Sequence, residues 1–278
     1  MEEQELIAAA RRGDRRSFEA LLRPHLRAVR AVVFRMIGHP EDAADLVQEA
    51  QLRAFTRLDT FRGESSFGTW LVSIATHACL DHLRKEARWR PYSQKYAEQE
   101  THSQPALLKE VRSTITDPAF AFDVHEHISF CFTCVARSLP PEQEAAIVLR
   151  EVLDYSNREA AKILDITESV LRHHLAAARE AMKQTYEGLC SLVNKQGICY
   201  QCSGFRNGTP EGRKGPEVQP FLAQAAATGG HGEVTEARFV RRLQVVREHE
   251  HAGGVSERLH DLLFQRIRAL ERQAAGAT

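Results

Sequence analysis

The sequence predicts an all-α protein: two small helical domains joined by a linker, the second with a helix-turn-helix, and then a helical C-terminal extension. Apolar residues recur three and four apart through most of the chain, while runs of alternating Val, Ile and Thr that would mark strands are scarce. The 278 residues, with a hydrophobic content of 43%, suit two domains of ordinary size. No apolar run approaches the roughly 20 residues that a membrane span needs. The acidic start MEEQEL also lacks the basic and apolar regions of a signal peptide. A cytoplasmic protein with no membrane partner is expected, in a compartment where thiols stay reduced. The six cysteines then read as metal ligands, thiol sensors or buried apolar groups rather than structural disulfides.

Formal net charge is +0, so partners must be read from where the charges lie. Arg11, Arg12, Arg15, Arg16, Arg23, Arg27, Arg30 and Arg35 crowd the first helices, a surface suited to phosphates. Glu41, Asp42, Asp45 and Glu49 follow at once and suit a basic protein. The block DAADLVQEAQLRAFTRLDTFRGESSFGTWLVSIATHACLDHLRK, residues 42–85, begins as an amphipathic helix. Leu46, Val47, Ala50, Ala54 and Phe55 face inward, with Asp42, Asp45, Gln48 and Glu49 along the polar side. A loop follows, Phe61-Arg62-Gly63-Glu64-Ser65-Ser66-Phe67. Its glycine can turn the chain, its arginine and hydroxyls can hold phosphate, and its terminal aromatics can stack on bases. The next helix carries Trp70, Ile74, His77 and Asp81 and ends in Arg84, Lys85, Arg88 and Arg90. Stacking groups beside a basic helix end suit single-stranded or melted DNA; for Trp70, core packing is the competing reading.

The runs D-x-x-D-L-V-Q-E, F-R-G-E-S-S-F-x-T-W-L and D-H-L-R, spread over most of residues 5–90, resemble the second conserved domain of the sigma-70 family. The likeness is to the small extracytoplasmic-function, or group-four, sigma factors in particular. The resemblance implies that Asp42, Asp45, Gln48 and Glu49 dock on the clamp helices of the largest subunit of core RNA polymerase. It implies that the loop Phe61–Phe67 captures a flipped base of the −10 element and that Trp70 to Arg88 hold the melted strand. The implied −10 contacts are Phe61, Arg62, Gly63, Ser65, Phe67, Trp70, His77, Arg84, Lys85 and Arg88. Gly68, Val72 and Ser73 stand where many relatives carry basic or aromatic residues, which implies fewer DNA contacts along that helix.

From Arg90 to about Phe122 the apolar pattern loosens into a polar segment with prolines near both ends, read as a linker with one short helical piece. A second domain opens at SLPPEQEAAIVLREVLDYSNREAAKILDITESVLRHHLAAAREAMK, residues 138–183. Pro140 and Pro141 start a helix, and Ser156 with Glu159 forms a capping box for a short one. Asp165 sits in a tight turn and Thr167 caps a longer helix. Helix, turn and capped helix at this spacing make a helix-turn-helix, whose second helix presents its N-terminal residues to base edges in the major groove. The stretch resembles the fourth conserved domain of the same family, which reads the −35 element. Ser169, Arg172, His173, His174 and Arg179 are the candidate contacts, with Lys183 further along; solvated histidines are the competing reading for His173 and His174.

The run HISFCFTC sets His127, Cys131 and Cys134 within roughly 60° of one another on a helix. Its His-x3-Cys-x2-Cys spacing also resembles a signature of zinc-binding anti-sigma proteins. After the DNA-reading helix come Cys190, Cys199 and Cys202, the last two again as Cys-x2-Cys. Two such pairs flanking one helical unit suit a four-thiolate zinc site. One zinc ion on Cys131, Cys134, Cys199 and Cys202 is the expected cofactor, with His127 and Cys190 as alternates. A reversible thiol switch and plain core cysteines are the other readings, and Cys79 is assigned to the core.

Gly and Pro in RNGTPEGRKGPEVQP mark a flexible tether, and ARFVRRLQVV and SERLHDLLFQRIRAL are amphipathic helices that need a partner surface. His249 and His251, in the polar turn between them, read as solvated. The expected divisions are 1–90, domain two; 91–123, linker; 124–188, domain four; 189–205, cysteine-containing extension; 206–234, tether; and 235–278, C-terminal helices. The resemblance implies a sigma factor that binds core RNA polymerase and promoter DNA, duplex and melted. Its regulators would be an anti-sigma factor, its own C-terminal extension or a zinc/thiol site. The alternative is a metal- or redox-responsive helix-turn-helix regulator that acts without polymerase. No His-Glu-x-x-His helix appears, and a four-ligand site leaves no open coordination position, which argues against a metalloenzyme.

Overall fold

A computed structural model describes residues 2–190, 199, 201–215, 231–248 and 255–276, and every regular element among them is helical. In chain order these are α1 (Glu3–Arg11), α2 (Arg15–Leu22), α3 (Leu26–Ile37), α4 (Pro40–Thr56), α5 (Phe67–Lys85), α6 (Ser93–Ser103) and α7 (Pro105–Thr116). Then follow α8 (Val124–Ala136), α9 (Pro141–Ile147), α10 (Asn157–Leu164), α11 (Glu168–Leu189), α12 (Gln201–Gly208), α13 (His231–Glu248) and α14 (Val255–Gly276). None of the described helices is long and apolar enough to cross a membrane. The chain forms two compact units, one of Met1–Glu86 with Pro141–Leu175, the other of Ala87–Pro140 with Ala176–Thr278.

In the first unit α3, α4 and α5 pack on one another, with Val29, Val32, Val33, Ala43 and Leu71 fully buried between them. Local chemistry sets the helix ends. Gly38, at φ 74°, closes α3, Pro40 opens α4, and the Ser66 hydroxyl accepts from the Thr69 N–H at 3.1 Å to cap α5. Helix α9 runs into a π-helical turn, Val148–Val152, before α10 begins. Ser156 and Glu159 form the capping box of α10, Asp165 turns the chain at φ 54°, and the Thr167 hydroxyl accepts from the Val170 N–H at 3.3 Å. Helices α9 and α10 lie against α5, where the Ser73 hydroxyl donates to the Ile163 carbonyl at 2.8 Å.

The second unit differs from its expected layout. The stretch expected as a linker forms α6 and α7, whose sparse apolar positions Ala97, Val111 and Ile115 are buried under α14 and α12. The first part of the expected tether is docked as well. The Arg213 guanidinium donates to the carbonyls of Asp117 and Phe120, and Phe122 pairs with Lys214 in an isolated bridge. Residues 216–230 of that tether, and the His249 and His251 turn, lie outside the described residues. The tail helices are 18 and 22 residues long, with α13 on α8 and α14 on α6, α7 and α8. Trp89 meets Phe264 of α14 at 4.7 Å between ring centroids, both rings buried. Phe264→Ala is therefore expected to cost about 3–5 kcal/mol in urea unfolding of the whole chain; a loss below about 1 kcal/mol would mean that α14 does not share this core.

Candidate nucleic-acid interface

The polar side of α4 leaves Asp45, Gln48 and Glu49 exposed, while Asp42 is half-buried beside His39 at 3.4 Å. Arg53, one turn on, bridges Glu49 at 2.5 Å and Asp81 of α5 at 3.2 Å. Leu52, on this face and without a signal in the sequence, is 67% exposed, and Phe55, expected to face inward, is 37% exposed and rests edge-on against Phe18. Not every arginine of the first helices faces water. Arg35 is buried, which lowers its pKa to about 10, and Arg11 donates to the Phe61 carbonyl at 2.5 Å, holding the loop that follows.

That loop turns at Gly63, φ 74°, and exposes Arg62, Glu64 and Ser66. Its aromatic ends behave otherwise than expected. Phe61 and Phe67 are buried, 5.7 Å apart edge-on, and both contact Trp70 at 5.4 and 5.5 Å. Their faces are consumed by one another, because a loop this short lets two phenylalanines and a helical tryptophan reach one pocket. Of the three rings, Trp70 alone keeps partial exposure. Gly68 is a packing glycine, since a Cβ there would meet the His25 ring at 2.7 Å. Along α5, His77 is half-buried, Arg84 pairs with Glu142 at 3.0 Å and Lys85 is exposed; Arg88, after the helix has ended, is exposed as well. The Lys162 ammonium of α10 donates to the Glu64 carbonyl at 2.7 Å, so the loop and the helix-turn-helix adjoin within one unit.

On α11, Ser169, Arg172 and His173 are exposed, and Arg172 has only a long contact of 3.9 Å with Glu168. His174 is half-buried, with its Nδ1 turned inward and without a hydrogen-bond partner. Arg179 and Lys183 are already engaged: Arg179 pairs with Glu236 of α13, and the Lys183 ammonium lies 3.2 Å from the other oxygen of that carboxylate. Glu236 was missed because its partners lie more than 50 residues away in sequence.

The cysteines of the second unit converge. Burial raises the Cys131, Cys134, Cys199 and Cys202 thiols, that of Cys199 to about 12, and neighbouring cysteine charges within the group raise each one further. The backbones of Cys190 and Cys199 run side by side, both thiols remain free, and the Cys190 sulfur accepts from the Arg242 guanidinium at 3.2 Å. Arg242 is itself buried, stacked 4.5 Å from the Tyr186 ring, and no carboxylate pairs with it among the described residues. One signal for it was present, since in ARFVRRLQVV it shares the apolar stripe of Phe239 and Val246. Among the described residues no group of three or more His, Cys, Asp or Glu side chains is placed to hold a metal ion.

His127 is not part of the sulfur cluster. Its Nδ1 lies 3.2 Å from Nε2 of His260 on α14, among Phe122, Phe130 and Phe205. Burial, and then the charge of His260, lowers its pKa from 6.5 to about 3. A histidine held neutral stabilises the fold fully above its unfolded pKa, and that stability is lost as pH falls from about 6.5 toward 3. Between pH 7 and 4.5 the parent should lose about 2–3 kcal/mol more than His127→Asn in urea unfolding. Equal losses would place His127 in water.

Residues 21–89 match the family profile of Sigma-70 region 2, and residues 129–182 that of Sigma-70, region 4. The chain is 32% identical over 188 residues to the ECF RNA polymerase sigma-E factor of Escherichia coli, an alignment covering 67% of this chain and 95% of that protein. It is 29% identical over 189 residues to the RNA polymerase sigma-H factor of Pseudomonas aeruginosa, covering 68% and 95%. A solved structure of the sigma factor RpoE in complex with the anti-sigma factor NepR, from Bartonella quintana, aligns with a TM-score of 0.41 at 19% identity, over 60% of this chain and 95% of that one.

Proposed function

Because the chain belongs to the sigma-70 family, in its extracytoplasmic-function group, it is a non-enzymatic factor that binds core RNA polymerase and directs promoter-specific initiation, and we propose the surfaces through which it does so. Asp45, Gln48 and Glu49, with Asp42 at the edge, meet the clamp helices of the largest subunit, and Leu52 supplies the apolar centre of that contact. The observation that carries this reading is the exposure of Leu52, 67%, on the same face as exposed acidic residues. An apolar centre with a polar rim is the usual anatomy of a protein interface. Asp45→Lys with Glu49→Lys is expected to weaken binding to core polymerase by about tenfold or more, read by fluorescence anisotropy with labelled chain. Unchanged affinity would reject this face.

Arg62, Ser65 and the exposed part of Trp70 meet the −10 element, with Arg84, Lys85 and Arg88 on the phosphates of the melted strand. Ser169, Arg172 and His173 meet the −35 element from the major groove. The chain acts in the cytoplasm, where polymerase is. Transcripts made by core polymerase and this chain on fragmented genomic DNA should start at sites sharing two upstream elements. Starts identical with those of core alone would remove the reading.

A zinc ion on Cys131, Cys134, Cys199 and Cys202 is a separate proposal, and its support is chemical. The four soft donors lie within reach of one another's charge, and buried Arg242 would offset the surplus negative charge of a tetrathiolate zinc. Binding would require the sulfurs to turn toward a common centre. Elemental analysis of reduced protein is expected to give near one zinc per chain, and none after Cys131→Ser with Cys134→Ser; a metal-free parent would remove the proposal.

A further inference from the structure

Arg172, Arg179 and Lys183 occupy one stripe of α11, within about 40° of one another at 100° per residue. Such a stripe is the part of a groove-lying helix that meets the DNA backbone beyond the base-reading residues. Two of its three cations are occupied by one carboxylate, with Arg179 and Lys183 each taking a different oxygen of Glu236. One oxygen per cation is the arrangement a phosphate would offer. The contact is built in both directions. Glu187 of α11 pairs with Arg238 of α13 at 3.8 Å and accepts from the Thr235 hydroxyl at 3.2 Å. The Phe239 ring lies 5.3 Å from the Arg179 guanidinium, and Arg242 anchors the same helix on Tyr186 and Cys190.

We propose that α13 is an internal occupant of the phosphate-binding stripe of the −35-reading helix, with Glu236 standing where a DNA phosphate would sit. The proposal rests on the reading of α11 as that helix. It gives the C-terminal extension a regulatory role: promoter phosphates and Glu236 compete for the same two cations, so the extension sets the affinity threshold that a promoter must pass.

The test uses the full chain, a short labelled DNA duplex and a salt series from about 50 to 200 mM, with affinity read by fluorescence anisotropy. Glu236→Gln is expected to bind more tightly than the parent, with a log–log salt slope steeper by about one to two units, as each freed cation gains a phosphate. Affinity and slope equal to the parent's would overturn the proposal. Arg172→Ala in the Glu236→Gln background separates the mask from the helix assignment. Loss of the gained affinity supports α11 as the DNA-reading helix, and its retention would remove that assignment. Hydrogen exchange of residues 235–248 in the parent gives an independent reading. Saturating duplex should raise exchange there as α13 is displaced, and unchanged protection would overturn the competition.

Discussion

The second unit depends on burying Trp89 under Phe264. Helices α6 and α7 each carry too few apolar positions to hold a fold, and a short isolated helix is marginal in water. Their stripes become a core when α14 closes over them, with Trp89, Ile115, Phe205 and Phe264 in one buried cluster. Glu271 of the same helix, 2% exposed, accepts from the Arg90 backbone N–H at 2.9 Å and from its guanidinium at 3.0 Å. A carboxylate buried this deeply is tolerated because both kinds of donor reach it. Helix α14 is thus part of the core of the unit rather than an appendage to it.

Tertiary packing within each unit sorts the cations. Of the basic groups along the chain, Arg11 holds a loop, Arg35 is buried, Arg90 is taken by Glu271, and Arg242 serves the sulfurs. Arg62, Lys85, Arg88 and Arg172 stay exposed. A formal net charge of +0 therefore hides a sorting of cations by three-dimensional position, and it is the sorted set that sets salt dependence.

Local chemistry was legible in the sequence and distant pairing was not. The capping box at Ser156 and Glu159, the left-handed turn at Asp165 and the Thr167 cap depend on residues within three or four positions, so spacing alone reveals them. Phe61 and Phe67 looked like free stacking surfaces because nothing in FRGESSF tells that Trp70 will join them in one pocket. The helices α6 and α7 were hidden for a related reason: their apolar partners lie in a tail more than 100 residues later. The placing of His127 with His260 and of Arg179 with Glu236 are further cases, each set by tertiary contact between charges or rings far apart in sequence.

The first unit ties α5 to α10 through the Ser73–Ile163 and Lys162–Glu64 hydrogen bonds and an exposed Arg84–Glu142 ion pair. If Arg62 and Trp70 serve the −10 element and Arg172 the −35 element, as proposed, their targets stand roughly 80 Å apart along duplex DNA, and a unit closed by these bonds cannot serve both at once. The ties that must break are two hydrogen bonds, each worth about 0.5–1.5 kcal/mol net, and an exposed ion pair worth about 0–1 kcal/mol. The apolar faces of α9 and α10 on α5, with Ile163 and Leu164 buried, outweigh these polar ties at about 1.5–3 kcal/mol per fully buried side chain. Opening thus draws on polymerase contacts as well as on the ~4–10 kcal/mol that specific DNA contacts add over non-specific binding. Closure of this unit is therefore compatible with promoter reading, provided polymerase and DNA are met together.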